Sequence, residues 1–297
     1  MSRPTLIALP GAETLADQLA RIGGFGQSAL EYRRFPDGES YLRLADRLHG
    51  DVVIVARLDH PDPKIPALLF AAELARERGA ERLGLVCPYL PYMRQDAIFN
   101  PGEALTSASF AGWISERFDG LLTVDPHLHR YPSLDRIYRL HAIALSAARL
   151  VGEWIAGAIE RPLIVGPDAE SRQWAEAVAT PAGLPWITLK KHRLGDRKVR
   201  VEADGDLHMW ADHTPVLVDD IISSGHTLAQ AARVLQAQGL RAPSAVAVHG
   251  LLDDHARRVL ADAGIPKVVC TDSVPIPESG IALAPLLAPA LDRLFRR

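Results

Sequence analysis

The run Pro215 to Thr227 (PVLVDDIISSGHT) holds the residues best suited to chemistry. Its apolar start suits a parallel strand covered on both faces. Two adjacent carboxylates follow, Asp219 and Asp220, then a short turn of Ser223, Ser224, Gly225, His226 and Thr227. The helix-forming segment Leu228 to Gln238 comes next, stopped by Gly239. Ligands of open α/β sheets bind just past the carboxyl ends of strands. A helix N-terminus there offers unpaired N–H groups and positive dipole charge to a phosphate, and glycine lets the backbone approach closely. The two carboxylates cannot favour a phosphate directly, so they call for polyol hydroxyls or a divalent cation. A sugar phosphate supplies both demands. The plain alternative is an acidic loop beside an ordinary capped helix. Two acids, two serines, a glycine and a threonine in one turn weigh against it.

Other clusters also fall at predicted strand ends. Asp37 and Glu39 sit in the turn Arg34-Phe35-Pro36-Asp37-Gly38-Glu39, whose Pro-Asp-Gly is by itself ordinary turn chemistry. Arg94, Gln95 and Asp96 follow a buried strand. Arginine there can stack on a base or pair with a phosphate. Asp125 and His127 lie two apart after the strand Leu121 to Val124, with His129 a weaker candidate. Asp168 ends the strand Leu163 to Val165, ahead of Ala169, Glu170 and Ser171. The basic cluster Lys190-Lys191-His192-Arg193 follows Trp186 to Leu189 and precedes a polar stretch expected to be mobile.

The elements that must position these groups alternate between strand-like and helix-like. Strands are expected at Thr5–Leu9, Leu30–Phe35, Ser40–Leu44, Val52–Leu58, Leu83–Pro88 and Leu121–Val124. In the second half they are expected at Leu163–Val165, Trp186–Leu189, Val216–Val218, Ala245–Val248 and Val268–Thr271. Helices are expected at Glu13–Ile22, Ile65–Arg78, Leu105–Phe118, Ile143–Ile159, Arg172–Ala179, Leu228–Gln238 and His255–Ala263. This alternation argues for an α/β protein with parallel sheets and crossover helices. The similarity of the halves divides the 297 residues into two related domains, 1–148 and 149–297, and the amphipathic tail Ile281 to Arg297 is a candidate to dock on the first.

A hydrophobic content of 48% and a charged content of 23% are those of a soluble globular chain. A net charge of −3 gives no bulk attraction to nucleic acid or anionic membrane. No apolar run is long enough to span a bilayer, and the start lacks a secretory pattern. Cys87 and Cys270 lie in apolar strand-like runs, which points to reduced thiols and a cytoplasmic setting.

An Asp-Gly-Glu turn, then Pro-Tyr-x-x-Tyr-x-Arg-Gln-Asp (Pro88 to Asp96), then the Asp-Asp-Ile-Ile loop, in that order and spacing, resemble ribose-phosphate diphosphokinase, also called phosphoribosyl-diphosphate synthetase. The likeness runs from about Arg34 to the end of the chain. It implies two tandem phosphoribosyltransferase-like domains and transfer of a diphosphoryl group from Mg·ATP to the anomeric hydroxyl of ribose 5-phosphate. By position it implies an ATP site of Phe35, Asp37, Glu39, Arg94, Gln95, Asp96 and His127, completed by a neighbouring subunit of a homo-oligomer that is a dimer or dimer-based. It implies Mg²⁺ near His127 and Asp168, and Lys191 and Arg193 as a catalytic pair on a flexible loop. Asp219, Asp220, Ser223, Ser224, Gly225, His226 and Thr227 would hold ribose 5-phosphate.

The chain also departs from that family. Ala169, Glu170 and Ser171 stand where a glycine pair is usual. His226 replaces a glycine, so a positive φ there would strain it. Residues 97–103 lack the basic character of many bacterial members and look closer to the archaeal type. Two other readings stay open: a phosphoribosyltransferase, which shares only the sugar-phosphate loop, and a non-catalytic family member that regulates an active one. A nucleotide-binding module without chemistry is the weakest reading.

Overall fold

The computed structural model describes residues 3–193, 199–203 and 207–296, with the backbone alone described at 190–193 and 199–203. The chain forms two compact units, 1–145 with 283–297, and 146–282.

The first unit runs β1 (Thr5–Ala8), α1 (Glu13–Gly23), β2 (Gly26–Gln27), β3 (Leu30–Arg34), β4 (Ser40–Leu44), β5 (Asp51–Val55), α2 (Ile65–Glu77), β6 (Arg82–Val86), α3 (Thr106–Arg117), β7 (Gly120–Val124) and β8 (His141–Leu145). Six strands make one parallel sheet in the order β2-β1-β5-β6-β7-β8. The central strands DVVIV, RLGLV and GLLTV are apolar and almost wholly buried because the sheet is covered on both faces. β3 and β4 stand apart as an antiparallel hairpin.

The second unit runs α4 (Ala148–Ala158), β9 (Pro162–Gly166), α5 (Arg172–Ala179), β10 (Trp186–Arg193), β11 (Val199–Ala203), β12 (Thr214–Ile222), α6 (His226–Ala237), β13 (Ser244–Gly250), α7 (Asp254–Asp262), β14 (Val268–Thr271) and β15 (Ser279–Ile281). Its sheet has the order β11-β10-β9-β12-β13-β14-β15, parallel except where β11 folds back on β10. α7 is capped by Asp253, whose side chain accepts from the Ala256 N–H at 2.7 Å. The chain then returns to the first unit as α8 (Ala284–Leu291).

α8 and the residues after it are seated by missing side chains. A Cβ at Gly84 would lie 2.6 Å from Leu294 Cδ2, and one at Gly120 would lie 2.9 Å from Leu294 Cγ. Arg82 holds Asp51 with two bonds of 2.6 and 2.7 Å and donates to the Phe295 carbonyl at 2.7 Å. The two mainly parallel α/β sheets flanked by helices are the fold class expected from the sequence.

Several element readings need correction, among them the two-residue strand β2, which the sequence does not announce. The helix expected at Ile143–Ile159 is instead strand β8 followed by the shorter α4, because the alternating His-Ala-Ile-Ala-Leu run pairs with β7 before the helix starts. The strand expected to stop at Leu189 continues to Arg193, paired with the unforeseen β11. β15 was also unforeseen; its three residues carry no apolar run.

Candidate active site

In the second unit the two carboxylates lie inside β12 rather than beyond it, since Ile221 and Ile222 still pair with His249 and Gly250. Their side chains fold onto the local backbone: Asp219 Oδ1 accepts from the Asp220 N–H at 3.0 Å, and Asp220 Oδ1 accepts from the Ile221 N–H at 2.8 Å. Burial first, then the Asp220 charge and the more distant Asp168 charge, push the Asp219 carboxyl up to about 8. At neutral pH Asp219 therefore favours its protonated form. A bound cation would reverse that preference.

Asp168 sits after β9 in a closed turn. Its Oδ1 accepts from the Ser171 N–H at 3.0 Å, and the Ser171 hydroxyl donates to the Asp168 carbonyl at 2.7 Å. Ser171, one of the departures from the glycine pair, is buried and packs toward Gly166. It closes the turn that starts α5, so the loss of glycine leaves a tight strand-to-helix corner in place.

The turn Ser223–Thr227 leads into α6 with Gly225 at the N-cap in the left-handed region, φ +75°. A Cβ there would meet Leu260 Cγ at 2.9 Å. Gly225 is thus fixed both by backbone conformation and by α7 packing against it. His226 is the first residue of α6 and is absent from the positive-φ residues, so it carries none of the strain expected for it. Its ring meets that of His255 edge to face at 6.0 Å. The first N–H groups of α6 have no side-chain cap and open at an exposed His226 and Thr227, as an anion site requires.

In the first unit the loop after β6 meets the loop after β7. Arg130 Nε lies 3.4 Å from Asp96 Oδ1. Gln95 accepts from the Thr106 hydroxyl at 3.2 Å, at the start of α3. Residues 97–103, which lack basic groups, are closed by Glu103, whose carboxylate takes the N–H groups of Phe99 and Asn100 at 2.8 and 3.1 Å and the Asn100 amide at 2.6 Å. His127 stacks on His129 with ring centroids 4.1 Å apart, just past Asp125, which holds φ +36°. Arg130 and Glu103 were not found from the sequence, since neither stands in a recognisable spacing.

Phe35, Asp37 and Glu39 form the tip of the β3–β4 hairpin. Asp37 Oδ1 accepts from the Glu39 N–H at 3.2 Å, and Gly38 turns the chain at φ +95°. Phe35 is 41% exposed, a large apolar ring held out to solvent. The Arg33 guanidinium lies 4.6 Å from its centroid.

Lys191 and Arg193 have backbones on β10, opposite Val201 and Val199. Their side chains lie outside the described residues. Alternate strand positions place both residues on one face of the hairpin. Among the described residues no three His, Cys, Asp or Glu side chains converge on one ion position.

A pair of tandem phosphoribosyltransferase-type α/β domains, with a Gly225 turn after two strand carboxylates in the second, defines the class. Residues 5–116 match the N-terminal domain of ribose phosphate pyrophosphokinase, and residues 133–283 match the phosphoribosyl transferase domain. A ribose-phosphate pyrophosphokinase of Methanosarcina acetivorans is 35% identical over 290 residues, 97% of this chain and 99% of its own. One of Methanopyrus kandleri is 35% identical over 286 residues, covering 95% and 94%. The crystal structure of a phosphoribosylpyrophosphate synthetase from Mycobacterium smegmatis superposes with a TM-score of 0.84 at 25% identity over 99% of each chain. The chain belongs to the ribose-phosphate pyrophosphokinase family of enzymes.

Proposed function

We propose that this enzyme transfers the diphosphoryl group of Mg·ATP to the anomeric hydroxyl of ribose 5-phosphate, giving 5-phosphoribosyl 1-diphosphate and AMP. The observation that carries the reading is the strand-to-helix corner of the second unit: Asp219 and Asp220 near the end of β12, then a turn that enters α6 through Gly225 with no side-chain cap on its first N–H groups. The amides and hydroxyls of Ser223, Ser224, Gly225, His226 and Thr227 would hold the 5-phosphate. Asp219 and Asp220 would receive the ribose hydroxyls, directly or through a cation.

The hydroxyl oxygen would form its bond to the β-phosphorus in line as the bond to the α–β bridging oxygen breaks. That oxygen leaves with AMP, and one proton is released. Such transfer needs positioning and charge neutralisation more than covalent help. Lys191 and Arg193 would neutralise charge growing on the bridging and equatorial oxygens. Phe35, Asp37, Glu39, Arg94, Gln95, Asp96 and His127 would hold the nucleotide. The exposed Phe35 on a projecting hairpin suits contact with a base, including that of a second subunit, as a homo-oligomer would allow.

The carboxylates of Asp168, Asp219 and Asp220 suit Mg²⁺. The ion prefers oxygen ligands, keeps several waters and needs only one or two carboxylates besides substrate phosphates, and the charge crowding at Asp219 favours a cation there. Asp168 and His127 are the residues proposed near it. Bound Mg²⁺ would supply charge neutralisation of the phosphate oxygens. A reducing, cytoplasmic setting suits the free and buried Cys87 and Cys270. No helix among the described residues is long and apolar enough to cross a membrane.

Incubation with Mg·ATP and ribose 5-phosphate tests the reading. AMP should form in step with an acid-labile diphosphate ester. ADP as the nucleotide product, or no turnover of either substrate, would reject it.

A further inference from the structure

We propose that Tyr92 is a positioning residue for the nucleotide, held by Asp62 of the neighbouring β5–α2 segment so that Arg94, Gln95 and Asp96 keep one arrangement before substrate arrives. This role rests on the nucleotide-binding function proposed for those three residues. The segment after β6 is fixed at its start, where the Pro88 carbonyl accepts from the Val124 N–H at 3.1 Å and from the Thr123 hydroxyl at 3.2 Å. It is fixed again further on, where the Gln95 carbonyl accepts from the Ser107 N–H at 3.4 Å. Tyr92 lies between these anchors, and Arg94, two residues later, is exposed.

Tyr92 holds φ +62°, a left-handed conformation that a bulky side chain rarely adopts. Such strain persists only where the surroundings over-determine it, and it gathers at ligand sites. Two contacts hold it here. The ring packs on that of Phe110 in α3, with centroids 5.1 Å apart. The hydroxyl donates to Asp62 Oδ1 at 2.7 Å. Burial first, then the Asp62 carboxylate, push the Tyr92 hydroxyl up to about 12, so it stays a donor at neutral pH.

The partner segment is itself set in place. His60, two residues before Asp62, holds φ +45°. Lys64 closes the segment, donating from Nζ to the Arg57 carbonyl at 3.0 Å and lying 2.9 Å from Asp59 Oδ1. The Pro61 carbonyl accepts from the Lys64 and Ile65 N–H groups at 2.8 and 3.1 Å. Two segments, each with a strained non-glycine residue, are thus joined by the bond between Asp62 and Tyr92. Asp62 is exposed, so that bond adds little to folding. A bond of this kind suits preorganisation: a loop ordered in advance loses less freedom when the ligand binds.

Calorimetric titration of the full chain with Mg·ATP, in the absence of ribose 5-phosphate, reads this role without turnover. Tyr92→Phe keeps the ring and removes the hydroxyl; it should weaken nucleotide binding about tenfold, the scale of a hydrogen bond to a charged acceptor. Asp62→Ala should weaken it equally, and the double variant should be no worse than either, because both remove one interaction. Asp62→Asn keeps an acceptor oxygen and should restore most of the affinity. In steady-state kinetics the KM for Mg·ATP should rise in Tyr92→Phe while the KM for ribose 5-phosphate stays unchanged. Denaturant midpoints of the Asp62 variants should stay close to that of the unaltered chain. Unchanged affinity in Tyr92→Phe and Asp62→Ala, additive losses in the double variant, or no nucleotide binding by the unaltered chain would overturn the proposal. Losses that follow a lowered denaturant midpoint, with no rescue by Asp62→Asn, would overturn it too. Failure of the reaction assay with these binding changes intact would count against the reaction alone.

Discussion

Asp219 concentrates the energetics of the β12–α6 corner in one side chain. Its folded-state pKa is about 8 against an ordinary value of 3.8. The native state therefore holds a proton that the unfolded chain releases across that window. The stability Asp219 contributes is full below the lower value and is lost as pH rises through the upper one. The ligand-free enzyme should lose stability relative to its Asp219→Asn variant as pH rises between about 4 and 8, on the order of 1–3 kcal/mol by the upper end. Thermal unfolding of both proteins across pH checks this; parallel curves would contradict it. Gly225→Ala should cost about 2–4 kcal/mol, from a left-handed backbone and a Cβ driven toward Leu260. It should also raise the KM for ribose 5-phosphate. Denaturant midpoints and saturation kinetics read the two effects. Lys191→Ala should lower turnover on the order of 100-fold through loss of a preorganised cation, and near-normal turnover would remove Lys191 from the mechanism.

At the scale of elements, the parallel core was legible because burial on both faces writes β5, β7, β12 and β13 as continuous apolar runs. The corner at Asp219 to Thr227 is legible because its polar residues cluster within nine positions at the end of one apolar run. What stayed hidden is long-range. The alternating Ala-rich run of β8 reads equally well as the start of α4 until its pairing with β7 is known. Lys190 to Arg193 look like a solvated loop, and only β11 as a partner makes them part of β10. Arg130 and Glu103 have no motif; their roles come from a loop meeting another loop and from a loop closing on itself. The return of residues 283–297 to the first unit depends on Gly84 and Gly120, which leave room for Leu294. Gly84→Val should displace that tail and cost about 1–3 kcal/mol, measurable as a lower denaturant midpoint. An unchanged midpoint would mean that the tail contributes little.

For the whole molecule, a net charge of −3 leaves no field that would draw polyanions in bulk, so anion binding must be local. The first N–H groups of α6 in the second unit, which have no side-chain cap, offer such a place. Family membership, and with it the enzyme class, rests on nearly full-length similarity to archaeal and mycobacterial relatives. The central claim is that the β-phosphorus is the atom attacked. ATP radiolabelled at the β-phosphorus, turned over with ribose 5-phosphate and Mg²⁺, tests it most directly. The account predicts that all transferred label appears in the acid-labile sugar diphosphate ester and none in AMP. Label released as inorganic pyrophosphate without sugar ester, or retained in ADP, would contradict it.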